Sequence, residues 1–302
     1  FFFHPHAAIR DAQESRGLGD VYKRQHLEED AGKSIHDLFP GQTAVDLNRT
    51  GTPLLEVVSE PDMRTAQEAS AYFRQMHTLV RYIGICDGNL AEGSMRCDAN
   101  VSVRPIGQEA FGERTEIKNI NSFRFVEQAI EHEIARQIDV LESGGRIERE
   151  TRLYDPDRDE TRSMRSKELS NDYRYFPDPD LMPLTISEAF VERIRDELPE
   201  LPDARCARYV EELGLTESDA TAISGDIDRA IYFDAAVAAQ ASAKPCANWI
   251  MGELSAYLNK QGVSLAECPV TPTLLAQLIR RIEDGTLSSK TAKTLFDALW
   301  EA

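Results

Sequence analysis

The segment SMRCDANVSVR, residues 94–104, carries the clearest strand pattern in the sequence. Apolar side chains such as Cys97 and Ala99 alternate in it with polar ones such as Asp98 and Asn100. Since successive side chains of a strand point to opposite faces, this period of two predicts a strand with one core face and one polar face. Antiparallel sheets commonly keep one such face in water, so the pattern favours an antiparallel sheet.

Two further strands are predicted around this segment. Residues 114–120 follow a glycine-containing loop and form a long-looped hairpin with the first strand, and residues 53–59 are a third candidate. Amphipathic helices separate and follow these strands, one starting at the capping box of Thr65 and Glu68 and one following Ser122. Strands and helices in this irregular order indicate an α+β domain with a mostly antiparallel sheet.

The rest of the chain has a different character. Capped helix starts and glycine stops recur, which predicts an all-α helical domain over residues 200–302, after an α+β domain over residues 26–199. Residues 1–25 have neither helical nor strand periodicity, so we expect an unrelated or artefactual segment outside the fold. The helix starts are expected at Thr185, Thr216, Lys244 and Thr271, and the stops at Gly214, Gly225, Gly262 and Gly285.

Composition limits the class of protein. The 302 residues are 41% hydrophobic, enough to bury a sizeable core, and the formal net charge of −18 opposes nucleic-acid binding unless a local basic patch overcomes it. The five cysteines form no C-x-x-C pair, so neither a zinc site nor a disulfide framework is expected. No apolar run of about 18 residues occurs, so we expect a soluble, cytoplasmic protein that does not contact a membrane.

Two short polar segments have simple interpretations. The triplet GKS at residues 32–34 resembles the end of a phosphate-binding P-loop, but that motif needs glycine at position 27, where this chain has Leu27. No apolar strand precedes the triplet, so it does not indicate a nucleotide site. The segment DLNR at residues 46–49 is typical of a turn that leads into a strand.

The polar face of the predicted hairpin is the strongest candidate site. Carboxylates there suit magnesium, which takes oxygen ligands and usually one or two protein carboxylates, while lysine and arginine neutralise a phosphate in transfer. The alternative is a sheet face that is simply solvated. The candidate residues are Glu92, Arg96, Asp98 and Asn100 around the first strand and Glu116, Lys118, Asn119 and Asn121 around the second.

The chain resembles a known family at residues 45–61, VDLNRTGTPLLEVVSEP. Further matching segments are residues 26–33, 92–100, 116–123 and 172–181. The family is the B subunit of the bacterial aspartyl/glutamyl-tRNA(Asn/Gln) amidotransferases, and the matches follow its order over residues 26–302. The resemblance implies a catalytic cradle domain similar in fold to glutamine synthetase, followed by the helical domain.

The resemblance also implies an activity, that of a carbon–nitrogen ligase with glutamine as amido donor. In the family, the B subunit uses ATP and Mg²⁺ to phosphorylate the side-chain carboxylate of Glu-tRNA(Gln) or Asp-tRNA(Asn), and ammonia then displaces the phosphate. The amidase subunit of the same enzyme releases the ammonia, and a small third subunit joins the two in a heterotrimer.

Carried onto this sequence, the resemblance assigns a role to each candidate residue. If Glu92 and Glu116 share one magnesium ion, their carboxyl groups should lie within about 8 Å of each other. The implied metal ligands are Glu92 and Glu116, the catalytic residues are Arg96, Lys118, Asn119 and Asn121, and the nucleotide-binding residues are Asp98, Asn100 and Ser122.

Two departures from the family pattern qualify this expectation. The family has a strand with a Glu-x-His motif ahead of the matched region, which residues 1–25 lack, and a tail domain beyond Ala302 that helps to hold tRNA. We therefore expect the chain alone to be inactive. The alternative, from another class, is a catalytically silent tRNA-binding or assembly module in which the hairpin carboxylates are solvated.

Overall fold

The computed structural model describes residues 22–30, 33–39, 42–164 and 185–301. These residues fall into two compact units. The first unit holds the described residues up to Phe73 and again from Arg96 to residue 164. The second holds Arg74–Met95 and the described residues from 185 onward. The matching segment at residues 172–181 lies outside the described residues.

The first unit is built from short strands. In the chain order they are β1 (Tyr22–Glu29), β2 (Lys33–Phe39), β3 (Gln42–Asp46), β4 (Pro53–Ser59), β5 (Cys97–Val101), β6 (Thr115–Ile120), β7 (Thr151–Asp155) and β8 (Glu160–Ser163). β1 pairs with β4 and β2 with β3, while the others form one sheet in the order β5-β6-β7-β8. Only the β6–β7 pair is parallel among the strand pairs of the described residues. This confirms an α+β fold with mostly antiparallel strands.

Two amphipathic helices, α1 (Ala66–Tyr82) and α2 (Phe123–Glu142), confirm the predicted ones. At the start of α1 the backbone N–H of Thr65 donates to the Glu68 carboxylate at 3.0 Å, and the Glu68 N–H donates to the Thr65 hydroxyl at 3.1 Å. These reciprocal bonds form the predicted capping box and satisfy N–H groups that the first helical turn leaves free.

Helix α2 covers one face of the four-stranded sheet and contacts β5, β6 and β8. The side chains that meet there are the apolar half of the alternating pattern. Ala99, Val101 and Ile117 of the sheet and Val126 and Ile130 of the helix are all fully buried. Burying each of the larger ones stabilises the fold by about 1.5–3 kcal/mol. The opposite face of the sheet is left with the polar residues.

The strand predicted over residues 94–104 is shorter in the structure, where β5 ends at Val101. Gln137 of α2 takes the place of a neighbouring strand beyond that point. Its Nε2 donates to the Val101 carbonyl at 3.0 Å, and its Oε1 accepts from the Val103 N–H at 3.1 Å. A helix side chain therefore satisfies the backbone groups that would otherwise continue the ladder.

Strand β1 crosses the boundary predicted after residue 25. Tyr22, Arg24 and Gln25 pair with residues 57–59 of β4. Backbone pairing therefore extends the strand beyond the segment that has a clear sequence pattern, and the division after residue 25 stays a prediction. Residues 1–21 lie outside the described residues, and the domain boundary after residue 199 stays a prediction.

The second unit is helical and has an apolar core. The fully buried side chains of this core include Tyr209, Phe233, Leu275, Ile279 and Phe296. A π-helical turn, Ile250–Leu254, joins two of its helices. The helices are α3 (Glu188–Glu197), α4 (Pro202–Glu211), α5 (Glu217–Ser224), α6 (Ile227–Ala238), α7 (Ala243–Trp249), α8 (Ser255–Gln261), α9 (Pro272–Glu283) and α10 (Ser289–Glu301).

The predicted helix starts are confirmed at Thr216 and Thr271, whose hydroxyls accept from the N–H of Asp219 and of Leu274. The start predicted at Thr185 is wrong, since Ser187 caps α3 by accepting from the Phe190 N–H at 3.2 Å. Both residue types can cap a helix, and the chain uses the one adjacent to the first helical turn. None of the helices in the described ranges is both long and apolar enough to cross a membrane.

Candidate functional site

The sheet face opposite α2 brings together four of the predicted polar residues. Asp98 and Asn100 lie on β5, Glu116 and Lys118 lie on β6, and Asn100 is directly opposite Glu116 in the strand register. The Lys118 Nζ contacts Asp98 Oδ2 at 2.6 Å and Glu116 Oε1 at 3.3 Å. One ammonium group therefore lies between two carboxylates on a partly exposed face.

The charge of Lys118 is stabilised by these neighbours. Burial alone would lower the pKa of Lys118, but the hydrogen bond and charge of Asp98, supported by Glu116, raise that pKa above its usual value. Lys118 therefore stays protonated at neutral pH. A fixed ammonium group on a sheet face can attract an anionic substrate group that approaches from solvent.

The second oxygen of Glu116 is held by the neighbouring strand. Thr151 lies opposite Glu116 in the parallel β6–β7 pair, and its Oγ1 donates to Glu116 Oε2 at 2.8 Å. Each carboxylate oxygen keeps a further lone pair, so Glu116 still suits magnesium as an oxygen ligand. Within the described ranges, no three His, Cys, Asp or Glu side chains converge as a metal-binding group.

Three predicted residues lie where β6 leads into α2. Asn119 has a φ of 67°, in the left-handed region, and its Nδ2 donates to the Tyr154 carbonyl at 2.9 Å. The Ser122 hydroxyl caps α2 by accepting from the Phe125 N–H at 3.1 Å. Asn121 is exposed. Two of the three thus hold the fold itself together, and the roles of all three toward a substrate stay predictions.

Arg96 contacts a carboxylate that sequence patterns did not single out. It lies just before β5, and its Nη2 is 2.7 Å from Asp30 Oδ2, the same oxygen that Arg49 Nε contacts at 2.8 Å. Arg49 belongs to the turn predicted at residues 46–49, which is confirmed by the Asn48 N–H donating to the Asp46 side chain. No local spacing could indicate this cluster, because Asp30 and Arg96 are 66 residues apart.

The Asp30 carboxylate is nearly buried, with 8% of the residue exposed. Burial alone would raise the pKa of Asp30, but hydrogen bonds from Arg49 and Arg96 outweigh burial and lower it below its usual value. Asp30 is therefore ionised at neutral pH. Its charge holds two guanidinium groups together, those of Arg49, which is 39% exposed, and Arg96, which is 55% exposed.

Glu92 lies in a turn of the second unit, where its backbone N–H donates to Asn89 Oδ1 at 3.2 Å. Glu116 belongs to the first unit. The expectation that the two carboxylates share one magnesium ion therefore stays a prediction.

A buried charge network lies between α2 and the sheet, and no sequence pattern indicated it. Glu133 is fully buried, and its carboxylate accepts from Arg136 at 2.6 and 2.9 Å, from Gln137 at 2.9 Å and from the Thr161 hydroxyl at 3.0 Å. Arg152 of β7 lies 3.6 Å away. Burial alone would raise the pKa of Glu133, but Arg136 and Gln137 lower it.

These features define an α+β protein with a charged, partly exposed sheet face and a second, helical unit. A family model described as "GatB/GatE catalytic domain" matches residues 13–192, and one described as "GatB domain" matches residues 231–302. The chain therefore belongs to the GatB/GatE catalytic domain family. The first match begins inside residues 1–25, the segment expected to lie outside the fold.

Individual relatives agree with this assignment. Proteins named as the B subunit of aspartyl/glutamyl-tRNA(Asn/Gln) amidotransferase are similar to this chain in Azotobacter vinelandii, at 60% identity over 276 residues, and in Hydrogenovibrio crunogenus, at 61% over 277. The alignments cover 91% and 92% of this chain, respectively. They cover 57% and 58% of the two relatives, so the chain spans somewhat more than half their length.

Proposed function

We propose that this chain is the carboxylate-activating part of the B subunit of a tRNA-dependent amidotransferase. Its substrate is the side-chain carboxylate of Glu-tRNA(Gln) or Asp-tRNA(Asn), and its reaction is ATP-dependent phosphorylation followed by amidation. The observation that carries the proposal is the charged sheet face of a GatB/GatE family member, in which Lys118 lies between Asp98 and Glu116.

The proposed reaction has two displacements. In the first, a carboxylate oxygen attacks the γ-phosphorus of ATP, the bond to the bridging oxygen breaks, and ADP leaves. In the second, the ammonia nitrogen attacks the carbonyl carbon, the bond to the phosphate oxygen breaks, and inorganic phosphate leaves while the nitrogen loses a proton. Activation is needed because a carboxylate resists nucleophilic attack, whereas an acyl phosphate has a good leaving group.

The residues of the sheet face suit the first displacement. Phosphoryl transfer depends on positioning and on charge stabilisation, which preorganised cations supply. In the proposal the Lys118 ammonium attracts the anionic groups, and Arg96, Asn119 and Asn121 complete the catalytic set. Asp98, Asn100 and Ser122 are the proposed nucleotide-binding residues.

We propose that the magnesium ion binds at the same face. Glu116 supplies an oxygen ligand, and Glu92 is proposed as the second. Magnesium, when bound, neutralises charge on the phosphates of ATP. Thr151 holds the Glu116 carboxylate in one orientation through its hydrogen bond of 2.8 Å.

The proposed partners follow from the same assignment. They are the amidase subunit, which releases ammonia from glutamine, the small third subunit, which completes a heterotrimer, and the misacylated tRNA. The proposed site of action is the cytoplasm, where aminoacyl-tRNA is used for protein synthesis. The acidic chain, with a net charge of −18, needs local basic groups to bind tRNA.

One observation favours a second candidate, a catalytically silent tRNA-binding or assembly module. Both oxygens of Glu116 already contact protein groups, Lys118 and Thr151. In such a module these contacts would only stabilise the sheet. ATP binding that depends on magnesium distinguishes the two, because only the enzyme requires it.

The proposal is tested by Glu116→Gln in the full-length protein, assembled with the amidase and the small third subunit. Formation of Gln-tRNA or Asn-tRNA is followed by mass spectrometry, and magnesium-dependent ATP binding by calorimetry. We expect amidation to fall by at least about 100-fold, because the variant removes a charged ligand at a phosphoryl-transfer site. The matched control is Glu113→Gln, in an exposed position just before β6, which should retain full activity. Unchanged amidation by Glu116→Gln would show that the site lies elsewhere.

A further inference from the structure

The cluster of Asp30, Arg49 and Arg96 joins three separate segments of the first unit. Asp30 follows β1, Arg49 lies in the turn before β4, and Arg96 precedes β5. The backbone fixes the carboxylate in place, because the Asp30 N–H donates to the Thr52 carbonyl at 2.8 Å and the Asp30 carbonyl accepts from the Gly51 N–H at 3.1 Å. Asp30 is therefore a rigid anchor for the two arginines.

The two arginines bind this anchor in an unusual way. Each contributes a single nitrogen, and both nitrogens contact the same oxygen, Asp30 Oδ2. A guanidinium group has five N–H donors in a planar fork, so most donors of both groups are left over after these contacts. A bidentate pair would use two nitrogens of one guanidinium group, whereas here each arginine uses one.

The charges of the cluster do not cancel. Two guanidinium groups share one carboxylate, so among these three residues positive charge exceeds negative charge, in a chain whose formal net charge is −18. Both side chains are accessible, with 39% of Arg49 and 55% of Arg96 exposed. Two preorganised guanidinium groups with free donors match the geometry of phosphate oxygens.

The cluster is also continuous with the charged sheet face. Arg96 lies two residues before Asp98, the residue that contacts Lys118 at 2.6 Å. An anion held by Arg96 would therefore lie near the end of the strand that carries the candidate site.

We propose that Arg49 and Arg96, held together by Asp30, form a binding subsite for a phosphate group. The phosphate belongs either to a nucleotide or to an RNA backbone, since both present the same oxygens. The subsite deepens the proposed function and rests on it, since Arg96 already belongs to the proposed catalytic set; it adds Arg49 and Asp30, to which that function gives no role.

The test measures anion binding directly in the full chain. Calorimetric titrations with inorganic pyrophosphate, ATP and a short RNA duplex are compared for the parent chain, Arg49→Gln and Arg96→Gln. We expect each variant to weaken pyrophosphate binding about tenfold, the loss of one charge-assisted pair. The matched control is Arg158→Gln, whose side chain is 67% exposed and lies 3.8 Å from Glu160, and which should bind as the parent does.

The arms of the experiment separate the two sources of phosphate. If the variants lose as much affinity for ATP as for pyrophosphate, the subsite binds a nucleotide. If they lose affinity for the RNA duplex while ATP binding is unchanged, the subsite binds RNA. If a glutamine variant fails to fold, Arg49→Lys keeps the charge but removes the fork, and it should still weaken binding several-fold. Unchanged binding of all three ligands by folded variants overturns the subsite. Glu116→Gln tests the proposed function separately, because that change leaves the arginine pair intact.

Discussion

The two units place their charged groups differently. The sheet unit buries Glu133 completely and surrounds it with Arg136 and Arg152, whereas the helical unit builds its core from side chains such as Phe233 and Phe296. In the ion pairs of the helical unit at least one partner stays partly exposed: Arg205 is 11% exposed, but its partner Glu200 is 30% exposed, as is Arg208. The fully buried carboxylate therefore lies in the sheet unit, while the buried cluster of the helical unit is apolar.

This difference has a physical basis. The sheet holds side chains of distant segments at fixed spacing, and Asp98, Glu116 and Lys118 are 35–45% exposed on one of its faces, so these charged groups are both oriented and accessible. The buried network around Glu133 connects α2 to β7 and β8, and β7 carries Thr151, the residue that orients Glu116. The buried charged residues of the sheet unit therefore help to fix β7, the strand whose Thr151 orients Glu116 on the exposed face.

The largest effect is expected from a core deletion in the helical unit. Phe233→Ala removes a fully buried ring that packs edge-on against Tyr209, with 4.9 Å between ring centroids. We expect the free energy of unfolding to fall by about 3–5 kcal/mol, because the cavity is not refilled. Hydrogen exchange resolved by mass spectrometry measures the loss in the peptides of this unit. The control is Ile231→Ala, on the same helix but 56% exposed. It should change the free energy of unfolding by less than about 0.5 kcal/mol.

The second effect tests whether a buried charge can matter as much as an apolar core. Glu133→Ala leaves Arg136 and Arg152 without their shared carboxylate and should destabilise the sheet unit by about 3 kcal/mol. The same hydrogen-exchange experiment should show the loss in α2, β7 and β8. Glu142→Ala, exposed at the end of α2, is the control and should be nearly neutral. A neutral Glu133→Ala would mean that the network adds nothing to the stability of the unit.

The pH dependence of stability tests the contribution of the Glu133 charge separately. The pKa of Glu133 lies below its ordinary value of 4.5, so its contribution to stability is present above that pH and is lost as the pH falls through the folded pKa. Glu133→Gln removes this titration. We expect the variant to be less stable than the parent at neutral pH, and the difference to shrink as the pH is lowered below about 4.5. Urea denaturation at a series of pH values measures this difference in stability. A difference that stays constant with pH would contradict a lowered pKa of Glu133 in the folded protein.

The smallest effect compares one helix cap from each unit. Ser122→Ala and Thr271→Ala each remove a hydroxyl that accepts from a backbone N–H, and each should cost about 1 kcal/mol. Thermal denaturation detects the change. Ser122→Asp should keep the cap but change a side chain that is proposed to bind the nucleotide, so lost ATP binding in a stable Ser122→Asp variant would give Ser122 a second role beside its cap.

Local elements were largely predictable from the sequence because their signals are local. The β4 bounds, the capping box of Thr65 and Glu68, and the caps at Ser122 and Thr271 all follow from patterns of a few residues. The end of β5 was not predictable, since Gln137 of α2 stops the strand at Val101. The four charged or amide residues of the sheet face were found because strand alternation alone places them on one side.

What the sequence by itself determined is therefore the identity and alternation of the strands, the capped helices, and the family to which the chain belongs. Only the tertiary structure decided which polar groups meet: Thr151 with Glu116 across 35 residues, and Arg96 with Asp30 across 66. The reason is that hydrophobic periodicity reports which side of an element faces the core, but it carries no information about which distant segment lies beside it. Those distant pairings are set by backbone register and packing, and they orient Glu116 and the arginine pair.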